Sequence, residues 1–261
     1  MENRDLDTLA RQAAGLIAEA RHVVAFTGAG ISTESGIPDF RGPGGIWKSF
    51  DPDDFTYQKF VHHRDTRLRW WQLFRERGLS TDIEPNRAHH GIRELDEMGK
   101  LDAVITQNID NLHQKAGVPD GKVLEIHGNI RRTVCLGCGR SYRFEAIRYK
   151  LASGEEIPAC EHCDGILKPA IVFFGEPLPE SVFQEAIRRA SYAEVFLIIG
   201  STLIVHPAAE IPLEAVKGGA RLIIINLSPT PLDSEADVRI DASAGEAMIR
   251  IIGWLKSISG G

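Results

Sequence analysis

Apolar positions open the chain at helical spacing. Leu6, Leu9, Ala13, Leu16 and Ile17 fall on one stripe and predict an amphipathic helix over 5–21. The period then changes. His22 leads into Val23, Val24, Ala25 and Phe26, an apolar run with the length of a strand buried on both faces. The run passes directly into Thr27-Gly28-Ala29-Gly30, and a strand ending in a Gly-rich turn is how a nucleotide-binding αβ unit begins. Residues 36–57, rich in Gly, Pro and Asp with interspersed aromatics, read as a long loop. Helical spacing returns over 58–78 and over 86–99, the second stretch stopping at Gly99. Further strands are predicted at 102–105, 122–126, 195–199 and 221–225, with helices near 180–190, 207–217 and 244–258.

Strand after strand ends in small or polar residues: Gly28, Gln107, His127, Gly200 and Asn226. Ligands of open parallel sheets bind outside the carboxyl ends of the strands, so these five turns are expected to converge on one crevice. The predicted fold class is α/β, a Rossmann-like parallel sheet with helices on both faces, drawn from 1–36, 86–128 and 169–261. Residues 37–85 form a loop and helical module. Residues 129–168 break the αβ rhythm and read as a small inserted zinc-ribbon and helical domain, the whole of 1–261 acting as one unit.

Composition narrows the function classes. Apolar residues make up 43 % and charged residues 25 %, which excludes disorder on compositional grounds. A net charge of −6 removes the basic excess that bulk nucleic-acid binding needs, so no nucleic-acid partner is expected. The apolar runs at 195–199 and 222–225 are far too short to span a bilayer, and Met1-Glu2-Asn3-Arg4-Asp5 has no signal-peptide pattern. The expectation is a cytoplasmic protein, without a membrane partner and monomeric.

All the cysteines lie in two tight pairs, Cys135-x-x-Cys138 and Cys160-x-x-Cys163, separated by twenty-one residues. Two such knuckles supply four thiolates for a tetrahedral zinc ion; reduced structural thiols are the alternative. With four Cys ligands no coordination position stays open for water, so the ion is structural. Gly28-Ala29-Gly30-Ile31-Ser32 alone is a weak signal, because the third glycine of a dinucleotide fingerprint would fall on Thr33. Its continuation through Gly36-Ile37-Pro38-Asp39-Phe40-Arg41 is not needed by a plain turn.

The run from Gly28 to Arg41 resembles the first signature of the sirtuins. Thr106-Gln107-Asn108-Ile109-Asp110-Asn111-Leu112-His113 resembles their second, and His127-Gly128 their third. The two cysteine pairs follow in the family order. Phe173-Phe174-Gly175-Glu176 resembles the substrate-binding segment, and Gly200-Ser201-Thr202 and Asn226 the remaining cofactor contacts. The resemblance covers about residues 20–250. It implies an NAD-dependent protein-lysine deacylase, a deacetylase foremost, that uses NAD as co-substrate and releases nicotinamide and 2′-O-acyl-ADP-ribose, with an acyl-lysine protein or peptide as partner.

The resemblance also implies roles. Gly28, Ala29 and Gly30 let backbone N–H groups approach the pyrophosphate, Ser32 adds a hydroxyl, Phe40 shields the ribose, and Arg41 faces the phosphates. Ile37 and Asp39 belong to the same cofactor loop. Gln107, Asn108, Ile109 and Asp110 line the nicotinamide pocket. Gly200, Ser201, Thr202 and Asn226 hold phosphate and adenosine ribose, and Ala244 contacts adenine. His127 is the general base, with Asn108 beside it in the catalytic set. Phe173, Phe174 and Gly175 form an extended edge for the peptide. Members that favour succinyl-lysine carry Tyr-x-x-Arg in the helix after the cofactor loop; that pattern occurs nowhere in this chain, and Trp71 and Phe74 take its place, which implies an apolar acyl pocket. ADP-ribosyl transfer or NAD hydrolysis at the same site is the alternative enzyme reading. A binding module built on the ribbon, whose region 130–150 includes Arg131, Arg132, Arg140, Arg143, Arg148 and Lys150, is the non-enzymatic one.

Overall fold

Apolar runs as long as those at 195–199 and 222–225 need cover on both faces, and the fold supplies it. The computed structural model describes residues 3–40, 42, 45, 53, 56–77 and 83–259. In chain order its elements are α1 (Asn3–Glu19), β1 (Val23–Thr27), α2 (Tyr57–His62), α3 (Arg64–Arg77), α4 (Arg87–Glu97), β2 (Leu101–Thr106), α5 (Leu112–Ala116), β3 (Val123–Glu125) and β4 (Gly128–Cys135). There follow β5 (Ser141–Arg143), α6 (Phe144–Ala152), β6 (Leu167–Ile171), α7 (Glu180–Ser191), β7 (Val195–Ile199), α8 (Ile211–Lys217), β8 (Arg221–Ile225), β9 (Val238–Ile240) and α9 (Ala244–Ser259).

Six strands pair in the order β3-β2-β1-β7-β8-β9, every pairing parallel. Alternate strand residues face opposite layers. Val23 and Ala25 of β1 point into the core closed by α1, α4 and α9, while Val24 and Phe26 point into the core closed by α7 and α8. The chain order reverses between β1 and β7. That switch point is where an open parallel sheet leaves a crevice at its carboxyl edge, and Gly28 and Gly200 both stand there. Among the described residues no helix is long and apolar enough to cross a membrane.

A second sheet, β5-β4-β6, is antiparallel and carries the cysteines. Its core also contains Phe60, Trp70, Trp71 and Phe74 from α2 and α3, packed with Phe144 and Ile147 of α6. The two segments expected as separate modules, 37–85 and 129–168, therefore share one hydrophobic core.

The helix expected over 58–78 is broken at His63, which is extended (φ −113°, ψ 116°). Arg67 makes the break tolerable: its Nη1 donates to the carbonyls of Phe60 and Val61 at 2.9 and 2.8 Å, satisfying acceptors that a helix end leaves open. Helix α5, the inserted elements β4, β5, α6 and β6, and the edge strand β9 are not marked by the sequence pattern. Several are three to five residues long, too short to show a period.

Candidate functional site

The strand ends at Gly28, Gln107, His127 and Gly200 are tied to one another, and Asn226 follows Ile225, whose carbonyl accepts from Gly200 N. Gly30 N donates to Gly200 O at 2.9 Å, and Gly200 N to Ile225 O at 2.9 Å. Asn108 Nδ2 donates to Gly28 O at 3.2 Å, Ser201 Oγ to Gln107 Oε1 at 3.2 Å, and His127 Nδ1 lies 2.9 Å from Gln107 O. Asn226 N donates to Ile240 O at 3.2 Å.

The glycines are required by the approach of two turns to one another. A Cβ on Gly28 would lie 2.8 Å from Gly200 O, and one on Gly30 2.7 Å from Gly200 Cα. Two of the motif's own N–H groups are engaged inside the protein. Gly28 N already donates to Ile199 O at 3.1 Å and Gly30 N to Gly200 O. Their smallness lets the β1 and β7 turns interlock, and Ala29 sits half-buried between them. The chain then winds through a 3-10 helix, Ala29–Ser35, ended by Gly36 in the left-handed region (φ 89°).

Ser32 is the hub on that turn. Its Oγ donates to Asp110 Oδ2 at 2.7 Å and accepts from Asn108 Nδ2 at 3.1 Å. Asp110 also accepts from Leu112 N at 3.0 Å, while burial pushes its carboxyl above the usual range. Ser32 and the Asn108–Asp110 turn, far apart in sequence, are thus one polar cluster. Gln107 Nε2 is buried without a hydrogen-bond partner among the described residues.

The Gln107 carbonyl can only accept, so His127 holds its proton on Nδ1 and keeps the Nε2 lone pair. Burial holds the imidazole below the usual histidine range, the carbonyl hydrogen bond pulling the other way. His127 is therefore a neutral base at pH 7. Behind it lies a buried chain. Thr27 Oγ1 donates to Thr106 Oγ1 at 2.8 Å, and Thr106 Oγ1 accepts from Asn108 N at 3.0 Å. His113 Nε2, 2.9 Å from Thr27 Oγ1, must then be the donor there, which leaves Nδ1 as an acceptor. His89 Nδ1 accepts from Asn86 N at 3.3 Å, which leaves Nε2–H as a donor. The two rings are 5.1 Å apart, and neither remaining nitrogen has a partner among the described residues.

Of the other expected residues, Ile37 and Asp39 are half-buried, and Asp39 Oδ1 accepts from Gly42 N at 2.7 Å. Phe40 is exposed, Thr202 and Ile109 are half-buried, and Asn226 is buried with Nδ2 bound to Ser228 O at 2.7 Å. Arg41 and most of the loop 36–57 lie outside the described residues. Ala244 opens α9. Beside it the sequence reading missed Glu34, whose Oε2 accepts from Gly245 N at 2.6 Å and whose Oε1 accepts from Ser243 Oγ at 3.1 Å. An acid just before the Gly36 turn carries no sequence sign that it caps a helix at the far end of the chain.

Phe173, Phe174 and Gly175 do not form a regular strand. Phe173 is buried, stacked on Trp70 at 4.7 Å and edge-on to Phe60 at 5.0 Å. Phe174 makes a single parallel bridge with Thr56 and is exposed, and Gly175 turns the chain at φ 78°. Trp71 and Phe74, expected at the acyl pocket, are buried against each other and, through Phe74, against Phe144 of α6. Their packing is core packing, and it is the neighbouring Trp70 that meets Phe173.

The four cysteine sulfurs all lie within 4.8 Å of one another, Cys135–Cys163 at 3.5 Å and Cys138–Cys160 at 3.6 Å. A zinc tetrahedron with Zn–S near 2.3 Å has edges of about 3.8 Å, so the set fits the ion. Gly137 N points at Cys135 Sγ (3.3 Å) and Tyr142 Oη lies 3.0 Å from Cys160 Sγ, the outer hydrogen bonds that thiolates need. A Cβ on Gly165 would reach 2.9 Å from Cys135 Sγ, so this position must stay bare.

The model of the Sir2 family matches residues 28–207. A protein of Caldivirga maquilingensis named NAD-dependent protein deacetylase is 44 % identical over 249 residues, covering 95 % of this chain and 94 % of that one. NAD-dependent protein deacylase 2 of Archaeoglobus fulgidus is 43 % identical, covering 95 % and 96 %. Among solved structures, one described as a Sir2–p53 peptide–NAD+ complex superposes with a TM-score of 0.83 at 39 % identity, covering 94 % of this chain and 96 % of that one.

Proposed function

This chain belongs to the Sir2 family and is an NAD-dependent protein deacylase with a zinc-binding cysteine tetrad, and on that premise we propose how its own residues carry the reaction. The observation that carries the proposal is the tautomer of His127, a neutral imidazole with Nε2 basic at the carboxyl edge of the sheet.

NAD supplies an electrophilic ribose carbon with nicotinamide as its leaving group. His127 Nε2 takes the proton of a ribose hydroxyl as general base. Asn108, held by Gly28 O and Ser32 Oγ, fixes the floor of the pocket. Asp110 and Gln107 meet the carboxamide, whose donors and acceptors they complement. Ser201, Thr202, Asn226 and the start of α9 at Ala244 hold the adenosine half. The interlocked turns of Gly28, Gly30 and Gly200 keep side chains out of the phosphate path, with Ala29 and Ser32 beside it. Phe40, with Ile37 and Asp39, belongs to the cofactor loop and shields the ribose, and the resemblance gives Arg41 the phosphates. The residues 1–36, 86–128 and 169–261 form the NAD-binding unit in this reading.

The second substrate is an acyl-lysine peptide laid along Phe173, Phe174 and Gly175. The acyl group is uncharged, since no Tyr-x-x-Arg pair occurs in the chain to bind an acyl carboxylate. Cys135, Cys138, Cys160 and Cys163 would hold zinc as a structural ion, remote from proton transfer. Every group invoked comes from one chain, and the enzyme is assigned to the cytoplasm, where such thiols stay reduced.

The test is nicotinamide release from NAD with and without an acetyl-lysine peptide. Release that requires the peptide is expected. Release without it would replace deacylation by NAD hydrolysis or ADP-ribosyl transfer.

A further inference from the structure

Lys168 is a buried cation that none of these steps uses. It lies on β6 with its side chain 3 % exposed. Its ammonium has three N–H donors and three acceptors around it: Pro169 O at 3.2 Å, Ile171 O at 2.5 Å and Glu176 Oε2 at 2.9 Å. A fully engaged ammonium has nothing left to offer a ligand or a proton, so this lysine is neither a binding group nor a base. The same ammonium stands 4.6 Å from the centre of the Phe173 ring.

Glu176 answers from the other side. Its Oε2 also accepts from Phe173 N at 2.9 Å, and its own N–H donates to Phe173 O at 3.0 Å. Glu176 thus closes a turn around Phe173, Phe174 and Gly175, and Lys168 fastens that turn to β6. On the far side Tyr57 N donates to Phe174 O at 2.9 Å. A buried ion pair is weak evidence for stability, because apolar residues of similar volume often serve as well. What the pair provides is one conformation for a segment that is not held in a sheet.

We propose that Lys168 is a positioning residue which, through Glu176, fixes the backbone of residues 173–175 in the conformation that receives the acyl-lysine peptide. The inference rests on the reading of that segment as the peptide edge.

The experiment is steady-state kinetics on the zinc-loaded enzyme with an acetyl-lysine peptide, comparing wild type, the double variant K168M/E176Q and G175A. The double variant removes both charges together, while the new glutamine amide keeps an acceptor for Phe173 N. Its zinc content and thermal midpoint are expected to stay near wild type. The KM for peptide is expected to rise about tenfold, the scale of one charge-assisted hydrogen bond, with kcat and the KM for NAD unchanged. An unchanged peptide KM, or a rise in the NAD KM of equal size, overturns the inference. G175A strains a residue at positive φ inside the edge itself. If G175A raises the peptide KM and K168M/E176Q does not, the positioning role falls and the edge reading survives. If neither moves it, the edge reading falls too. Should the double variant lose zinc or melt early, E176Q alone is judged by the same criteria.

Discussion

The base strength of His127 depends on a single acceptor. Because Gln107 O takes the Nδ1 proton, Nε2 is left unprotonated, and burial keeps the ring neutral below the pH at which an exposed histidine would charge. The sign follows directly: a folded pKa lowered from 6.5 leaves the base active as pH falls past 6.5. The acid limb of kcat/KM for NAD is therefore expected to have its midpoint below 6.5, and a midpoint above that value would remove His127 from the role. At the same scale, the motif Gly28-Ala29-Gly30 was legible in the sequence but its physical task was not. Only the hydrogen bonds to Ile199 O and Gly200 O show that two of its N–H groups are already used inside the protein.

At the scale of elements, the sheet of β4, β5 and β6 is small, and β5 is three residues long, so pairing is supplemented by the cysteines and by the core beneath. The cysteines join their turns, and the core beneath them reaches α3 through Trp70, Trp71 and Phe74. Removal of zinc by a chelator is therefore expected to abolish peptide-dependent turnover, because Phe173 rests on that core, while NAD binding to the six-stranded sheet persists. The measurement pairs a colorimetric zinc assay with calorimetric NAD titration; full peptide turnover in a zinc-free sample would show that the second sheet stands without the ion. The cysteine spacing announced this element, but its shared core with α3 could not be read, since core residues from two distant segments meet only after folding.

Across the whole molecule, burial of ionisable groups sets the response to acid. Desolvation lowers His113 to about 4 and His89, with its neighbours His113 and His90 adding repulsion, to about 2. Both stay neutral in the fold while the unfolded chain takes up their protons near pH 6.5. Stability is thus fully present above about pH 6.5 and falls below it, by about 1.4 kcal/mol per pH unit for each histidine, until the folded state also binds the proton. Urea unfolding at pH 7.5, 6 and 5 should show this decline, and His113→Asn should flatten it. A midpoint that does not change between pH 6.5 and 5 would contradict the buried, neutral pair.

The continuous apolar run Val23-Val24-Ala25-Phe26 and its counterparts, the two cysteine knuckles, and the polar residues closing each strand were enough to determine a parallel α/β sheet, a zinc site and a crevice at the carboxyl edge. These are local properties, carried by period and spacing along the chain. The tertiary structure alone decided that Ser32, Asn108 and Asp110 form one cluster, that Glu34 caps α9, that Trp71 and Phe74 are core while Trp70 meets Phe173, and that Lys168 is sealed against Glu176. Such facts depend on which distant side chains exclude water together, and burial of that kind leaves no mark on the order of residues.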